Sequence, residues 1–214
     1  MSRPRIAVLD YGMGNVRSAE KALEHVGAEA VRTSDLALIA RADGLVLPGD
    51  GAFPRAMTRI RALGFDRALE ERLAQGTPVL GICVGMQMLF EGSTELGGAE
   101  GLGLLAGTVE RLDAPGLKLP HIGWSPVSWR RRSALCEGLP DPCALYHVHS
   151  YAPMGTDADD VVGTAVHGSE FVSVVERGSL WGVQSHPEKS AADGLALLGN
   201  FARACSAAVL AGAA

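Results

Sequence analysis

Val79-Leu-Gly-Ile-Cys83-Val-Gly85-Met-Gln87 is a short apolar run that carries one cysteine between two glycines. The apolar part reads as a buried strand and Met86 to Phe90 as the start of a helix, so Cys83 falls on the strand-to-helix turn. Glycines two before and two after the cysteine let the backbone turn tightly without a Cβ clash, the logic of the G-x-S-x-G elbow with sulfur in place of oxygen. A thiol at a helix N-terminus also feels the positive end of the helix dipole, which favours thiolate over thiol. The competing reading is a core cysteine, because cysteine is among the most buried residue types. The preceding strand and the paired glycines weigh against it.

Working outward, Thr77-Pro78 opens this strand, whose residues are apolar on both faces and therefore central in a sheet. Upstream, Arg5 to Asp10 suits a first buried strand, and Val16 to Val26 has a helical period stopped by Gly27. Ala28 to Thr33 and Gly44 to Leu47 follow as strands, while Ala52 to Gly64 and Phe65 to Gln75 read as one or two helices. Strands and helices alternate as parallel βαβ units require. Downstream, six glycines between Gly92 and Gly107 predict a loop. Short β-like runs follow at Val109 to Leu112, Val127 to Trp129, Ala144 to Val148, Val161 to Val166 and Phe171 to Glu176, and predict an antiparallel extension of the sheet. Leu180 to Gln184 is one more strand, and Ala191 to Leu210 a closing amphipathic helix. The expected fold is α/β: a mostly parallel central sheet with flanking helices and a C-terminal antiparallel extension, in a single domain over residues 1–214. No repeat or low-complexity linker divides the chain.

At 214 residues, 47% hydrophobic and 20% charged, the chain is long enough for one substantial core. A formal net charge of −5 leaves no lysine and arginine excess to neutralise phosphates, which argues against nucleic acid or an anionic membrane as partner. Arg130-Arg131-Arg132 is the one basic run and reads as a solvated turn. A strand begins within a few residues of the N-terminus, leaving no room for a signal peptide, and no stretch of about 18 apolar residues occurs. The expected location is cytoplasmic. Four irregularly spaced cysteines do not make a disulfide framework.

A cysteine nucleophile needs a base, and the base an orienter. His186-Pro187-Glu188 directly follows a strand, where residues two apart share a side, so Glu188 can reach the His186 ring and fix its tautomer. Taken alone the tripeptide reads more readily as a surface turn; the pairing with the elbow reverses that preference. Acyl transfer also needs N–H groups aimed at the developing oxyanion. The backbone of Val84 at the elbow is one candidate, and the turn Gly49-Asp50-Gly51, beside the elbow strand, is the other.

Other signals fail. Gly12-Met13-Gly14 is followed by Arg17 where a dinucleotide fingerprint has its third glycine, and no phosphate-binding G-x-x-x-x-G-K-[ST] occurs. Cys136 and Cys143 with His147 and His149 do not have a recurrent zinc spacing. No metal and no cofactor is expected. His25 and His167 read as surface residues.

With these residues in place the chain resembles the class I, triad-type glutamine amidotransferases, and among them the glutaminase subunits of imidazole glycerol phosphate synthase in histidine biosynthesis. The wider likeness rests on the Gly81-x-Cys83-x-Gly85 elbow and His186-Pro187-Glu188. The narrower one rests on Asp10-Tyr-Gly-Met-Gly-Asn15 with Ser18, Pro48-Gly49 with Gly51-Ala52-Phe53, Gly85-Met-Gln87, Pro120-His-Ile-Gly-Trp124, His149-Ser-Tyr151 and Gln184-Ser-His-Pro-Glu-Lys-Ser190. These blocks span nearly the whole chain in order.

The resemblance implies a Cys83, His186, Glu188 triad that hydrolyses L-glutamine through a glutamyl thioester. It implies that Gln87, Glu95, Ser150 and Tyr151 hold the glutamine, Glu95 facing its ammonium. Asn15, Trp124, Tyr146 and Lys189 match positions near the face that docks on a separate cyclase subunit of (β/α)₈ barrel fold, which receives the ammonia in a heterodimer. Two residues depart from the family pattern. Asp50 stands where the oxyanion turn usually reads valine, and its carboxylate is expected to point to solvent, since a charge facing the oxyanion opposes the reaction. Ser185 stands where an aromatic residue is frequent. Two other readings compete: a stand-alone thiol amidase, active without a partner, and a non-catalytic binding protein, against which the intact triad argues.

Overall fold

The computed structural model of the chain describes residues 3–212. Its first half is wound from β1 (Arg5–Leu9), α1 (Val16–His25), β2 (Glu29–Thr33), the single turn α2 (Leu36–Ile39) and β3 (Gly44–Gly49). Then come α3 (Phe53–Ala62), α4 (Phe65–Ala74), β4 (Val79–Cys83) and the one-turn α5 (Val84–Gln87). Helix α1 buries Val16, Ala19, Ala22 and Leu23, the 3.6-residue stripe that makes it amphipathic, and Gly27 at φ 95° lets the chain leave it. Gly64, left-handed at φ 71°, divides α3 from α4, so the predicted helical stretch is two helices. Every residue of β3 and β4 is buried, as expected of strands covered on both faces.

The second half continues with β5 (Phe90–Ser93), β6 (Ala99–Glu100), β7 (Leu105–Arg111), β8 (His121–Trp129), β9 (Cys143–His149) and β10 (Tyr151–Met154). It closes with β11 (Val161–His167), β12 (Ser169–Arg177), β13 (Leu180–Val183) and α6 (Ala191–Gly212). Nine strands form one sheet in the order β2-β1-β3-β4-β13-β12-β11-β8-β9. β2, β1, β3, β4 and β13 run parallel to their neighbours, whereas β13-β12, β12-β11, β11-β8 and β8-β9 are antiparallel. The sheet is thus half parallel and half antiparallel rather than mostly parallel, because β8–β9, β11–β12 and β12–β13 are each antiparallel pairs of strands consecutive in this sheet. β13 alone belongs to both halves.

Two expectations need correction. The stretch Gly92 to Gly107 is not a free loop. It holds β6 and parts of β5 and β7, which with β10 make a second, four-stranded sheet in the order β10-β7-β5-β6. Two of its glycines serve close backbone approach: a Cβ on Gly101 would lie 2.0 Å from the Phe90 carbonyl oxygen, and one on Gly92 2.8 Å from that of Ala99. The Val109 to Leu112 run accordingly lies mostly in this second sheet and does not extend the first. The elbow helix is also shorter than expected, starting at Val84 and ending at Gln87, with Phe90 already in β5.

The carboxyl ends of β3 and β4 meet side by side, Gly49 paired with Cys83, and Val183 of β13 pairs with Ile82. Open α/β sheets bind ligands at this edge.

Candidate active site

Cys83 is the one cysteine held at positive φ, with φ 55° and ψ −116°. Such a conformation costs a non-glycine residue about 1–3 kcal/mol and persists only when its surroundings enforce it. The two flanking glycines enforce it by proximity, neither being at positive φ itself. A Cβ on Gly85 would sit 1.8 Å from the Leu47 carbonyl oxygen, and one on Gly81 2.7 Å from that of Gly85. The backbone is folded onto itself so closely that only hydrogen fits at both positions.

His186 comes from the segment after β13. The strand has ended at Val183, and His186 and Glu188 meet across a 3₁₀ turn that begins at Pro187, not by strand alternation as expected. His186 Nδ1 lies 2.9 Å from Glu188 Oε1, with both side chains buried. The segment is pinned to β9: the His186 N–H donates to the Tyr146 carbonyl at 2.8 Å, and Ser190 Oγ–H donates to the His186 carbonyl while accepting from Tyr146 N–H. Burial pushes the His186 pKa down, but hydrogen bonding to Cys83 and Glu188 and the charges of both outweigh it, leaving it raised from 6.5 to about 10. At neutral pH His186 therefore keeps its second ring proton.

The cavity in front of Cys83 has a volume of about 220 Å³ and is lined by Asp50, Gly51, Cys83, Val84, Gln87, Glu95, Val148, His149, Ser150 and Tyr151. It is smaller than a drug-sized site and suits one small metabolite. A larger hollow of about 860 Å³ lies at the Arg130-Arg131-Arg132 run and contains none of these residues. All four residues expected to hold substrate are brought together here, although their polar atoms are partly committed. Gln87 Nε2 donates to the Tyr151 carbonyl at 2.9 Å and to Gln184 Oε1 at 3.0 Å, so Gln87 offers the cavity only its oxygen. Glu95 Oε2 accepts from the Phe53 N–H at 2.8 Å, at the first turn of α3.

The oxyanion turn is held from behind. Tyr11, buried, donates its hydroxyl to the Pro48 carbonyl at 2.8 Å, and burial first, then the charges of Cys83 and Asp50, push its pKa up. Asp50 is exposed, as expected, but its carboxylate folds back to accept from the Gly51 N–H at 2.7 Å. That N–H is thus already engaged.

The expected docking residues divide. Trp124 is 52% exposed and meets half-buried Tyr146 edge-on at 5.9 Å on neighbouring strands, and Lys189 is exposed. Asn15 instead turns inward, its Nδ2 donating to Glu188 Oε1 at 3.3 Å, which leaves α1 without a side-chain cap. The sequence reading missed Tyr11, Gln184 and Ser190 as site residues. His167, expected at the surface, is half-buried, and its ring stacks on that of His121 at 4.2 Å. Among the described residues no group of histidine, cysteine and acidic side chains could hold a metal ion.

Residues 7–205 match the family model described as glutamine amidotransferase class-I. Imidazole glycerol phosphate synthase subunit HisH of Salinibacter ruber is 48% identical over 201 residues, covering 91% of this chain and 92% of that protein. The protein of the same name from Thermobifida fusca is 47% identical over 208 residues, covering 93% and 98%. Among solved structures, a protein described as a GMP synthase subunit from Thermoplasma acidophilum superposes over the whole of both chains with a TM-score of 0.77 at 19% identity. PurLQS from Thermotoga maritima does so with a TM-score of 0.69 at 21% identity. At those identities the two structures speak for the fold alone. An elbow cysteine with a His-Glu pair beside it and a family match over nearly the full length lead to one statement: the chain belongs to the class I glutamine amidotransferases.

Proposed function

We propose that the chain is the glutaminase subunit of an imidazole glycerol phosphate synthase, in which Cys83, His186 and Glu188 hydrolyse L-glutamine to glutamate and ammonia. The observation that carries this reading is the pairing, in one small cavity, of a strained cysteine with the carboxylate of Glu95. The relatives bearing that subunit name, 46–48% identical over more than nine-tenths of this chain, support it.

The Cys83 sulfur attacks the side-chain amide carbon of glutamine, and the carbonyl oxygen becomes an oxyanion. Backbone N–H groups of Val84 and of the Gly49-Asp50 segment stabilise it, with the Gly51 N–H joining only if Asp50 releases it. The imidazolium of His186 gives its proton to the departing nitrogen, ammonia leaves, and a glutamyl thioester remains. Neutral His186 then takes a proton from water, whose oxygen attacks the thioester carbon, and the sulfur departs with glutamate as product. Glu188 keeps the ring oriented throughout. Glu95 pairs with the substrate ammonium, the Gln87 oxygen accepts from the substrate, and Ser150 and Tyr151 close the cavity.

The ammonia passes to a cyclase subunit of (β/α)₈ fold docked on the face of Trp124, Tyr146 and Lys189, with Asn15 reporting docking to Glu188. The decisive experiment is glutamate release from L-glutamine by the chain alone, then with the cyclase and its nucleotide, with Cys83→Ala as control. Strong stimulation that disappears in Cys83→Ala is expected. Equal activity with and without the cyclase identifies a stand-alone amidase instead.

A further inference from the structure

The sulfur of Cys83 has three polar neighbours, and only one belongs to neither the triad nor the cavity wall. Besides His186, the Val148 carbonyl lies 3.8 Å from Sγ and Gln184 Nε2 lies 3.7 Å from it. Both distances are within hydrogen-bonding range for sulfur. Gln184 is fully buried on the segment between β13 and His186, and its backbone N–H donates to the Ser173 carbonyl at 2.8 Å.

Which end of the Gln184 amide faces the sulfur follows from its neighbours. Gln87 Nε2 must be the nitrogen, because it lies 2.9 Å from the Tyr151 carbonyl oxygen, an acceptor only. Its second proton points at Gln184, 3.0 Å away, and needs an acceptor there, so that atom is Oε1. The Gln184 NH₂ is then left facing Cys83. Two amides in series therefore run from the Tyr151 backbone to the nucleophile, each orienting the next.

We propose that Gln184 is a further catalytic residue: an N–H donor to the Cys83 sulfur that stabilises its thiolate form, with Gln87 as the positioning residue that fixes the donor's orientation. The donor complements His186. His186 takes the proton from the sulfur and must let it go to the leaving nitrogen, whereas Gln184 stays in place and carries no charge that opposes that transfer. The Val148 carbonyl can accept only from the protonated thiol, so the two groups favour opposite states of the sulfur, and the amide favours the reactive one. This rests on the reading of Cys83 as nucleophile but not on the identity of the amide substrate.

The test is the pH profile of Cys83 alkylation by iodoacetamide, followed by mass spectrometry, in the full chain and in Gln184→Met, which keeps length and volume but removes the N–H groups. Loss of one hydrogen bond to a charged acceptor predicts alkylation at neutral pH slowed about tenfold and a midpoint about one pH unit higher. Gln87→Leu, which frees the Gln184 amide to reorient, moves the profile the same way by less. Gln184→Glu serves if Gln184→Met melts early, and its carboxylate slows alkylation further. An unchanged profile in a folded Gln184 variant overturns the proposal. A shifted profile in a chain that does not consume glutamine sinks the glutaminase reading and leaves the thiolate donor standing.

Discussion

Ser185 shows how one residue can carry a cost that the active site imposes. It is fully buried between Gln184 and His186, and its hydroxyl has no hydrogen-bond partner. A buried, unpaired hydroxyl costs about 1–3 kcal/mol. Ser185→Ala is therefore expected to stabilise the fold by about 1 kcal/mol, raising the thermal midpoint by about 2–4 °C for a chain of this size. Calorimetry checks it; a lower midpoint means that the hydroxyl has a partner in solution. At this scale the sequence was informative where a residue's chemistry is self-announcing, as with Cys83, His186 and Glu188. Gln184 escaped because a glutamine at a strand end has many ordinary uses, and only the three-dimensional neighbours of its amide reveal which end meets the sulfur. Tyr11 escaped likewise, since its buried hydroxyl is explained by Pro48, 37 residues away.

At the scale of elements, the elbow between β4 and α5 is the most constrained piece of backbone in the site. A methyl group on Gly85 would fall 1.8 Å from the Leu47 carbonyl oxygen, with backbone on both sides and no flexible side chain to yield. Gly85→Ala must therefore push β3 from β4 or rotate Cys83 out of its strained conformation. The expected result is a loss of at least about 2 kcal/mol in denaturant titration and loss of glutaminase turnover. A variant as stable as the parent contradicts the close approach. The β4-α5 elbow was legible because two glycines around a cysteine after an apolar run is a local pattern. The second sheet was not. Its glycine-rich strands β5 and β6 have no alternating pattern, and what makes them strands is pairing with each other and with β7, which β10 flanks from more distant sequence. β13 is legible as a strand, but its four buried residues do not tell parallel from antiparallel neighbours.

For the whole molecule, the histidines in and behind the cavity wall set the response to acid. His149 Nδ1–H donates to the Tyr151 carbonyl at 3.0 Å, so its Nε2 accepts from His121 Nδ1 at 3.2 Å, and His121 Nε2 accepts from the Ser125 hydroxyl at 2.9 Å. His147 donates to the Leu145 carbonyl and accepts from the Ser173 hydroxyl. This network is complete only with neutral rings. Burial, reinforced by neighbouring histidines, lowers His121 to about 4, His149 to about 3 and His147 well below its ordinary value. The unfolded chain takes up these protons from pH 6.5 downward and the folded chain does not. Stability is therefore full above pH 6.5 and falls as the pH drops toward 4 and 3, by an amount on the order of 3 kcal/mol or more. His186 has the opposite sign: its contribution is full below pH 6.5 and is lost as the pH rises through about 10. Urea titrations from pH 4 to 10 should show a stability maximum near neutrality, and a flat acid limb contradicts the buried neutral network.

β13 lies parallel to β4 on one side and antiparallel to β12 on the other. In the order of synthesis this strand is late: the sulfur leaves the ribosome 101 residues before the glutamine that faces it, and the histidine later still. Until β13 slots in, β4 presents an apolar open edge of the kind that pairs with strands of other chains. A nascent or C-terminally shortened chain therefore carries a cysteine with no base and a sheet edge with no cover. Translation that stalls before β13 would make aggregates, and no ammonia would be released ahead of a finished fold.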